Sequence, residues 1–593
     1  MVPGKDRPDV VPDLLRLRAQ RHPTGIATFH RVDGEWIPTT WSALWMDVQR
    51  TSAAFRGLGL RRGDRVAILA RTCREWQVAE FAALLSGAAV VGLDAHASDE
   101  QVAWILGDAQ VAAVVADTPQ NAARAAAGAR SPLKFLVAFD GDPQSPLPVE
   151  SRAWRDLKSD ESAVPAQPMP DSNDIAMLIY TSGTTGTPKG IEYSHRQLMT
   201  SCWCTVDEFP DLGESNRVLC WLPMGPLFQR VLNLVAFASR SVTFFVEDPR
   251  EIMARIAEVR PTTFASVPRF YEKLHDGIQE RLAAQAGVRK RLIDAALAAG
   301  AEWSRCVRSG SRPSWTLRMR RAFLDALVLR QIRSVMGGQI KWMISGSAAA
   351  PVWLLEFFHS IGLLVLEAYG VTENPVPVAA NRSHAYRFGS VGRPFRVNDV
   401  RIGEDSEVLV KGPAMFNGYR GDDRHAERLT SDGYYKTGDY GRFDDDGFLY
   451  LTGRVAEMIK TSTGRRISPA AIEAVYLRSP FIDQIVVFGN DRPSLVALIV
   501  PNMKAVEAAL GHPPPSDMTG AVRNMIGSQL ERFGQALSPY ERVRGFAILD
   551  APLSMANGDL TSNLKLRRRH IESRYAALID AAYPSTVVST AGS

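Results

Sequence analysis

The chain has 593 residues, of which 46% are hydrophobic and 22% charged, and its formal net charge is +5. Because one hydrophobic core stops growing near about 250 to 300 residues, this length implies at least two domains, and the composition excludes a largely disordered protein. The five cysteines argue against a disulfide scaffold, and no apolar run approaches the roughly 20 residues of a membrane span. The N-terminal residues lack a secretory signal, so we expect a cytoplasmic protein.

The first predicted elements alternate between helix and strand from Trp41 to about Asp117. Helical stretches are separated by short apolar runs such as "RVAILA" and "AAVVGL". This alternation predicts a parallel β-sheet covered by helices on both faces. Residues 140–174, which are rich in proline, serine and acidic side chains, then indicate a connection over the surface.

The α/β pattern resumes after this connection and later gives way to other patterns. Short strands and turns from Val400 to about Arg454 indicate a β-rich lobe, and the last residues carry their own helix and strands. We therefore predict an α/β fold with a large N-terminal domain, residues 1–453, that holds two doubly wound α/β subdomains and the β-rich lobe. Residues 454–593 are predicted to form a small α+β C-terminal domain.

The helices predicted within residues 281–333 are unusually basic. They carry twelve lysine or arginine residues against three acids, Asp294, Glu302 and Asp325, whereas the rest of the chain is net acidic. Such a run is either a solvated helical face or a patch for anionic lipid headgroups or another polyanion. Peripheral membrane contact through these helices is therefore one prediction, and nothing indicates a nucleic-acid partner.

The segment "IYTSGTTGTPKGI", Ile179–Ile191, is rich in glycine and in hydroxyl side chains. Glycines let backbone N–H groups approach an anion closely, while serine and threonine hydroxyls add donors and can bind Mg²⁺. The P-loop template does not fit, because Pro188 stands at its second glycine and Gly190 at its serine or threonine. The segment therefore predicts a phosphate loop of another kind.

The order of residues in this loop resembles the phosphate-binding signature of the adenylate-forming superfamily. Four more of that superfamily's motifs have counterparts downstream in the expected order: "EAYGVTEN" from Glu367, "YYKTGDYG" from Tyr434, "GRVAEMIKTSTGRRISPAAIE" from Gly453 and "DLTSNLKLRRR" from Asp559. Within the superfamily, "LPMGPLFQR" from Leu222 and "VPRFYEKL" from Val267 are most similar to long-chain fatty acyl-CoA synthetases. The resemblance implies a mobile C-terminal domain and ATP-dependent activation of a long- or medium-chain fatty acid to acyl-AMP and then to acyl-CoA, with ATP, Mg²⁺ and coenzyme A.

The resemblance also assigns roles to individual residues. Mg²⁺ would be held by Thr181 and Glu373, and Lys565 would bridge the carboxylate and the α-phosphate, so these three are the catalytic residues. The nucleotide would be bound by the loop, the strand ends and the downstream motifs: Thr181, Ser182, Gly183, Thr184, Thr185, Gly186, Lys189, Gly346, Tyr369, Gly370, Thr372, Asp439, Arg454, Lys460 and Lys565. Among these, Tyr369 would stack on adenine, Thr372 would meet a phosphate oxygen and Asp439 would accept both ribose hydroxyls. The alternative for Lys565 is a solvated charge in a basic run with Arg567, Arg568 and Arg569.

Four positions depart from the family's pattern. Ala456 replaces an acidic or basic hinge residue, Pro226 a histidine near the acyl carboxylate, Gln229 a glutamate, and Ala368 a glycine. They leave three hypotheses open: an acyl-CoA ligase, an enzyme that loads a carrier protein or activates an unusual acid, and an inactive nucleotide- or lipid-binding homologue. Retention of Thr181, Lys189, Glu373, Asp439 and Lys565 argues against the third.

Overall fold

The computed structural model describes residues 7–95, 97–143, 149–158, 168–182, 188–421, 427–463, 465–510, 517–560 and 566–583. The chain forms two compact units. The first comprises Met1–Arg401, Leu409–Lys436 and Asp445–Leu449, and the second comprises Ile402–Val408, Thr437–Asp444 and Tyr450–Ser593.

Three sheets form the framework of the first unit. Strands β7-β6-β5-β3-β4-β8 lie side by side and parallel, and β9 closes this seven-stranded sheet antiparallel to β8. The second sheet has the order β10-β11-β1-β2 and the third β12-β13-β14-β15-β16. The strands are β1 Ile26–Val32, β2 Glu35–Thr40, β3 Arg65–Leu69, β4 Ala89–Leu93, β5 Ala113–Ala116, β6 Phe135–Ala138, β7 Glu150–Ala153, β8 Ile175–Ser182, β9 Pro188–Ser194, β10 Arg217–Cys220, β11 Val242–Phe245, β12 Thr263–Ser266, β13 Trp342–Ser345, β14 Val365–Tyr369, β15 Ala379–Ala380 and β16 Arg393–Pro394.

Helices connect these strands and bury their apolar faces on the sheets. β4 and β5 are fully apolar runs, and β3 is apolar after Arg65, because both faces of a parallel sheet are covered. The helices are α1 Val11–Arg21, α2 Trp41–Gly57, α3 Arg74–Leu85, α4 Asp99–Asp108, α5 Pro119–Gly128, α6 His195–Glu208, α7 Leu227–Ser239, α8 Ile252–Val259, α9 Pro268–Ala283, α10 Gly287–Arg308, α11 Trp315–Leu324, α12 Arg330–Arg333 and α13 Val352–Ser360, with a π-helical turn at Asp325–Leu329.

Three smaller sheets follow in the chain. A four-stranded sheet has the order β17-β18-β19-β20, β21 pairs with β22, and β23-β24-β25 form a three-stranded sheet. The strands are β17 Asp399–Ile402, β18 Glu407–Lys411, β19 Tyr435–Phe443, β20 Leu449–Arg454, β21 Ile459–Lys460, β22 Arg466–Ile467, β23 Ile482–Phe488, β24 Leu495–Pro501 and β25 Val543–Ile548. The accompanying helices are α14 Pro469–Tyr476, α15 Met503–Leu510, α16 Met518–Gly534, α17 Arg568–Arg574 and α18 Ala576–Ala582.

The predicted α/β fold class is confirmed, with two differences in detail. The surface connection predicted at 140–174 contains strand β7 and a 3₁₀ turn, because β7 pairs with β6 at the edge of the large sheet and alternates exposed and covered side chains. The hairpin of β1 and β2 was not predicted. It joins the second sheet through β11, where the rings of Phe29 and Phe244 stack at 4.5 Å.

Candidate nucleotide and acyl-activation site

The glycine-rich segment lies in a β-hairpin. Thr181, near the end of β8, pairs with Lys189 near the start of β9, and Ser182 pairs with Pro188. The predicted phosphate-binding residues Gly183, Thr184, Thr185 and Gly186 lie outside the described residues. The segment therefore joins two antiparallel strands, whereas a P-loop joins a strand to a helix.

Gly190 is explained by its cross-strand neighbour. A Cβ at this position would lie 3.0 to 3.1 Å from ring atoms of Tyr180, which pairs with it across the hairpin. The Tyr180 hydroxyl donates to the carboxylate of Asp108 at the end of α4, and this fixes the ring over the glycine. A serine or threonine at position 190 would displace that ring, so the departure from the P-loop template has a packing reason.

Glu373 lies in a cluster of aromatic hydroxyls beside the hairpin. Its carboxylate accepts a hydrogen bond from the Tyr419 hydroxyl, which lies 3.2 Å from the hydroxyl of Tyr435. The Lys189 ammonium stands 5.1 Å from the centre of the Tyr419 ring. The tertiary structure thus brings the loop lysine and the acidic residue of a distant motif to one tyrosine.

The electrostatics of this cluster keep both phenols protonated. Burial, followed by the nearby Glu373 carboxylate, raises the pKa of Tyr419 and of Tyr435 well above the ordinary value. Both phenols are therefore hydrogen-bond donors at neutral pH. The sequence motifs assigned neither tyrosine a role, although Tyr435 stands within "YYKTGDYG".

The donor set fits the Mg²⁺ that the resemblance implies. Mg²⁺ prefers carboxylate, hydroxyl and phosphate oxygens and keeps several waters, so it needs only one or two protein ligands. Among the described residues no group of three or more His, Cys, Asp or Glu side chains could hold a metal by itself. The Glu373 carboxylate and the Thr181 hydroxyl would supply oxygen ligands, with substrate phosphate supplying the others.

The remaining predicted nucleotide residues of the first unit lie at the carboxyl ends of parallel strands. Gly346 directly follows β13, and Tyr369 ends the neighbouring β14, which Gly370 and Thr372 follow. Ligands of open α/β sheets bind outside such strand ends. A Cβ on Gly346 would lie 3.2 Å from the ring of Phe228, so a larger residue there would have to displace that ring slightly.

In the second unit, Asp439 and Arg454 form an ion pair. Arg454 Nε donates to Asp439 Oδ1 at 2.8 Å, and the Asp439 side chain is almost fully buried whereas half of the Arg454 side chain is exposed. This pairing orients the carboxylate predicted to accept ribose hydroxyls. Lys460 ends β21, on the surface of the same unit.

Lys565 lies outside the described residues, but its flanks are fixed. Leu560 and Leu566 form an antiparallel bridge, and the carboxylate of the fully buried Asp559 accepts from Arg574 and from the N–H of Ser554 at 3.1 and 3.2 Å. Leu560 and Leu566 therefore lie side by side, next to the anchored carboxylate of Asp559.

The basic run that follows Lys565 is only partly solvated. The Arg568 guanidinium donates to both carboxylate oxygens of Glu473, at 2.8 and 3.0 Å, and to the carbonyl of Val487. Bidentate pairs of this kind are the stronger class of ion pair. Arg568 is therefore held by an ion pair within its own unit, whereas the two hypotheses for Lys565 stay predictions.

Gln229, one of the departures from the family's pattern, has a structural role. It is buried, its Oε1 accepts from the N–H of Leu222 at 3.2 Å, and its Nε2 donates to Asn233 Oδ1 at 2.9 Å. Asn233 in turn donates to Gln77 Oε1. The amide of Gln77 donates to Glu80, which also forms a buried ion pair with Arg230. A neutral amide suits this place, because a further carboxylate would add an uncompensated buried charge.

Glu367 is an acidic residue whose burial was not predicted from the sequence. It is 3% exposed, and the N–H of Ala350 donates to its Oε1 at 3.1 Å. Burial raises its pKa from the ordinary 4.5 to about 7, and the N–H groups of Ala350 and Gly389 offset only part of that rise. Glu367 stands two residues before the predicted adenine-stacking Tyr369.

We expect Glu367 to make stability depend on pH. Because the folded protein binds this proton more tightly than the unfolded chain, the stabilisation is complete below about pH 4.5 and is lost as the pH rises through about 7. The Glu367→Gln variant should therefore show a flatter decline of the thermal midpoint between pH 5 and 8. At the alkaline end it should be spared the destabilisation of about 3 kcal/mol that the ionised, buried carboxylate imposes on the wild-type fold. The exposed Glu35→Gln variant serves as the control, and parallel curves for wild type and Glu367→Gln would contradict the assignment.

Comparisons with known families identify the class of protein. The chain matches the AMP-binding enzyme family over residues 15–420 and the AMP-binding enzyme C-terminal domain over residues 456–587. It therefore belongs to the AMP-binding enzyme family, and the predicted membership of the adenylate-forming superfamily is confirmed.

Within this family the chain is similar to ligases that act on long-chain fatty acids. The long-chain-fatty-acid–CoA ligase FadD15 of Mycobacterium tuberculosis is 31% identical over 568 residues, which cover 93% of each chain. The long-chain-fatty-acid–[acyl-carrier-protein] ligase AEE15 of Arabidopsis thaliana is 26% identical over 97% of this chain and 86% of that protein. The predicted similarity to long-chain fatty acyl-CoA synthetases is thereby confirmed.

Solved structures support the fold. The adenylation domain of a carboxylate reductase from Mycobacterium chelonae superposes with a TM-score of 0.78 at 23% identity, over 96% of this chain and 91% of that one. The anthranilate CoA ligase AuaEII in complex with anthranoyl-AMP gives a TM-score of 0.73 at 19% identity, over 97% and 98% of the two chains. At these identities the likeness concerns the fold alone.

Proposed function

We propose that this protein activates a long- or medium-chain fatty acid with ATP and transfers the acyl group to coenzyme A. The observation that carries the proposal is the meeting of Lys189 and Glu373 at Tyr419, since the lysine and the glutamate come from separate motifs of an AMP-binding enzyme. The similarity to FadD15 along nearly the whole chain supports the fatty acid as the substrate class.

The reaction consists of two displacements. A carboxylate oxygen of the acid attacks the α-phosphorus of ATP, and the bond to pyrophosphate breaks, which leaves acyl-AMP. The thiolate of the acceptor then attacks the acyl carbon, and AMP leaves as the thioester forms. Mg²⁺ would neutralise phosphate charge, so the protein's own contribution is to position groups and to stabilise developing charge.

Within this proposal each predicted residue has a defined task. Glu373 and Thr181 hold the metal, with Tyr419 and Tyr435 orienting the Glu373 carboxylate. Lys565 places a cation between the substrate carboxylate and the α-phosphate. The nucleotide is bound by the hairpin loop, the strand ends and the second unit through Ser182, Gly183, Thr184, Thr185, Gly186, Lys189, Gly346, Tyr369, Gly370, Thr372, Asp439, Arg454 and Lys460.

We also propose that the boundary between the N-terminal and C-terminal domains lies near residue 453. The C-terminal family match begins at residue 456, which supports it. In the structure Asp439 and Arg454 belong to the same compact unit. The proposed boundary, in contrast, passes between them and just before Arg454.

The proposal is tested by exchange of labelled pyrophosphate into ATP across a series of fatty acids of increasing length. We expect exchange only with acids that the protein activates, and multiple turnovers of AMP release once coenzyme A is added. The absence of exchange with every fatty and aryl acid would overturn the proposal in favour of a binding protein.

A second acceptor is a carrier protein that bears a phosphopantetheine thiol. The departure at Pro226 and the similarity to an acyl-carrier-protein ligase of Arabidopsis favour including it. Coenzyme A and a charged carrier protein should be supplied in parallel, because only the true acceptor sustains repeated AMP release.

We further propose that the basic helices of residues 281–333 contact a membrane surface, where long-chain acids concentrate. In the part of the chain that the structure describes, none of the helices has both the length and the apolarity needed to cross a bilayer. The excess of arginine on these helices supports contact with anionic headgroups.

A further inference from the structure

An exposed apolar stripe follows α11 and the π-helical turn after it. Four large side chains on it are between 44% and 73% exposed: Trp315, Met319, Phe323 and Leu327. They recur every four residues and so follow one side of the helix, whereas Leu317 and Leu324 face the hydrophobic core. A contiguous row of exposed apolar side chains marks an interaction surface.

Arginines border the stripe. Arg312, Arg318, Arg320 and Arg330 are all exposed on the same helices or the turn before them. Arg320 pairs with Glu302 at 2.8 Å, but this pair is half exposed and its charge remains accessible to solvent. An apolar row flanked by arginine is typical of a helix that lies in the headgroup region of a membrane.

A cavity of about 570 Å³ opens on one flank of the stripe. It is lined by residues of α10, α11, the π-helical turn, α12 and the turn after α13: Trp303, Arg318, Arg321, Ala322, Asp325, Arg333 and Gly362. Arg318 and Ala322 directly precede Met319 and Phe323 of the stripe, about 100° away around the helix. The cavity and the stripe therefore share one helix.

The cavity carries an excess of positive charge. Its one carboxylate, Asp325, is engaged by Arg333 through two hydrogen bonds of 2.6 and 2.8 Å. Arg321 stacks over Trp303 at 3.9 Å, and its buried Nε has no hydrogen-bond partner among the described residues. Within the same ranges Arg318 has no carboxylate partner, so two guanidinium groups remain to receive an anion.

We propose that this surface docks the protein on an anionic phospholipid bilayer, with the cavity receiving a lipid phosphate. Guanidinium groups bind phosphate through paired N–H donors, and Trp315 and Phe323 belong to the side chains that enter the interface between headgroups and acyl chains. The proposal deepens the proposed membrane contact and does not depend on which acid or acceptor the enzyme uses.

The test is flotation of the purified full chain with vesicles of phosphatidylcholine alone or with added phosphatidylglycerol, without ATP or acid. We expect wild type to float with the anionic vesicles and to be released by salt. The Trp315→Ser/Phe323→Ser variant should lose binding to both vesicles. The Arg318→Gln/Arg321→Gln variant should bind anionic vesicles about tenfold or more weakly and no longer prefer them.

Matched controls remove the same groups elsewhere. Met46→Ser/Met253→Ser removes two exposed apolar side chains, and Arg250→Gln/Arg396→Gln removes two exposed charges. Both should float like wild type. All variants should adenylate a water-soluble medium-chain acid at the wild-type rate, so a failure of docking is distinguishable from a failure of the proposed reaction.

Four outcomes would overturn the proposal. One is that wild type does not float with the anionic vesicles. Another is that the Trp315→Ser/Phe323→Ser variant binds vesicles as well as wild type does. Gel filtration could instead show that the stripe variant converts a dimer to a monomer while wild type binds no vesicles, which would assign the surface to a second copy of the chain. Displacement from vesicles by glycerol phosphate at the same phosphate concentration would assign the cavity to a free phosphate.

Discussion

The Lys565→Ala variant is expected to lose adenylation by a factor of about 10² to 10³ or more while keeping its fold. The proposed role of this lysine is to stabilise charge that develops between carboxylate and α-phosphate, and removal of one such group from other enzymes has costs of this order. Pyrophosphate exchange measures the loss, because it reports formation of acyl-AMP before any thiol acts.

Two further measurements make this result specific. Lys504→Ala removes an exposed lysine from α15 of the same unit and should leave exchange unchanged. Thioester formation from chemically supplied acyl-AMP should persist in Lys565→Ala, since the proposed role concerns the first displacement. Full exchange activity in Lys565→Ala would instead support the alternative of a solvated charge.

The Glu373→Gln variant should be impaired in its use of Mg²⁺. The substitution keeps the size of the side chain and an oxygen that can accept from Tyr419, but it removes the negative charge that would bind the metal. We expect adenylation to fall by about 10² or more, with a higher Mg²⁺ concentration needed for half-maximal rate. The measurement is pyrophosphate exchange as a function of Mg²⁺ at saturating ATP.

Tyr419→Phe separates orientation of this carboxylate from its charge. The variant removes the hydroxyl that donates to Glu373 but keeps the ring beneath Lys189. A smaller loss of rate, with an Mg²⁺ dependence close to that of wild type, is expected. If Glu373→Gln had the Mg²⁺ dependence of wild type, Glu373 would not be a metal ligand.

The sequence was sufficient to predict the elements that surround the site. Apolar runs between turn residues marked β3, β4 and β5, because a parallel sheet buries both faces of its strands. Short edge elements were missed for the opposite reason. β7 and the β1–β2 hairpin contain polar residues on their open sides, and their pairing with distant strands decides that they are strands.

By itself the sequence determined the family, because the residues that bind one ligand stand close together within each motif and the motifs keep their order. Only the tertiary structure decided which motifs meet. Lys189 and Glu373 converge on Tyr419, and Arg321 stacks on Trp303 beside a cavity, although no spacing in the chain encodes either contact. The physical reason is that packing and desolvation act between residues that are distant in sequence, and the raised pKa of the buried Glu367 carboxyl is a consequence of the same kind.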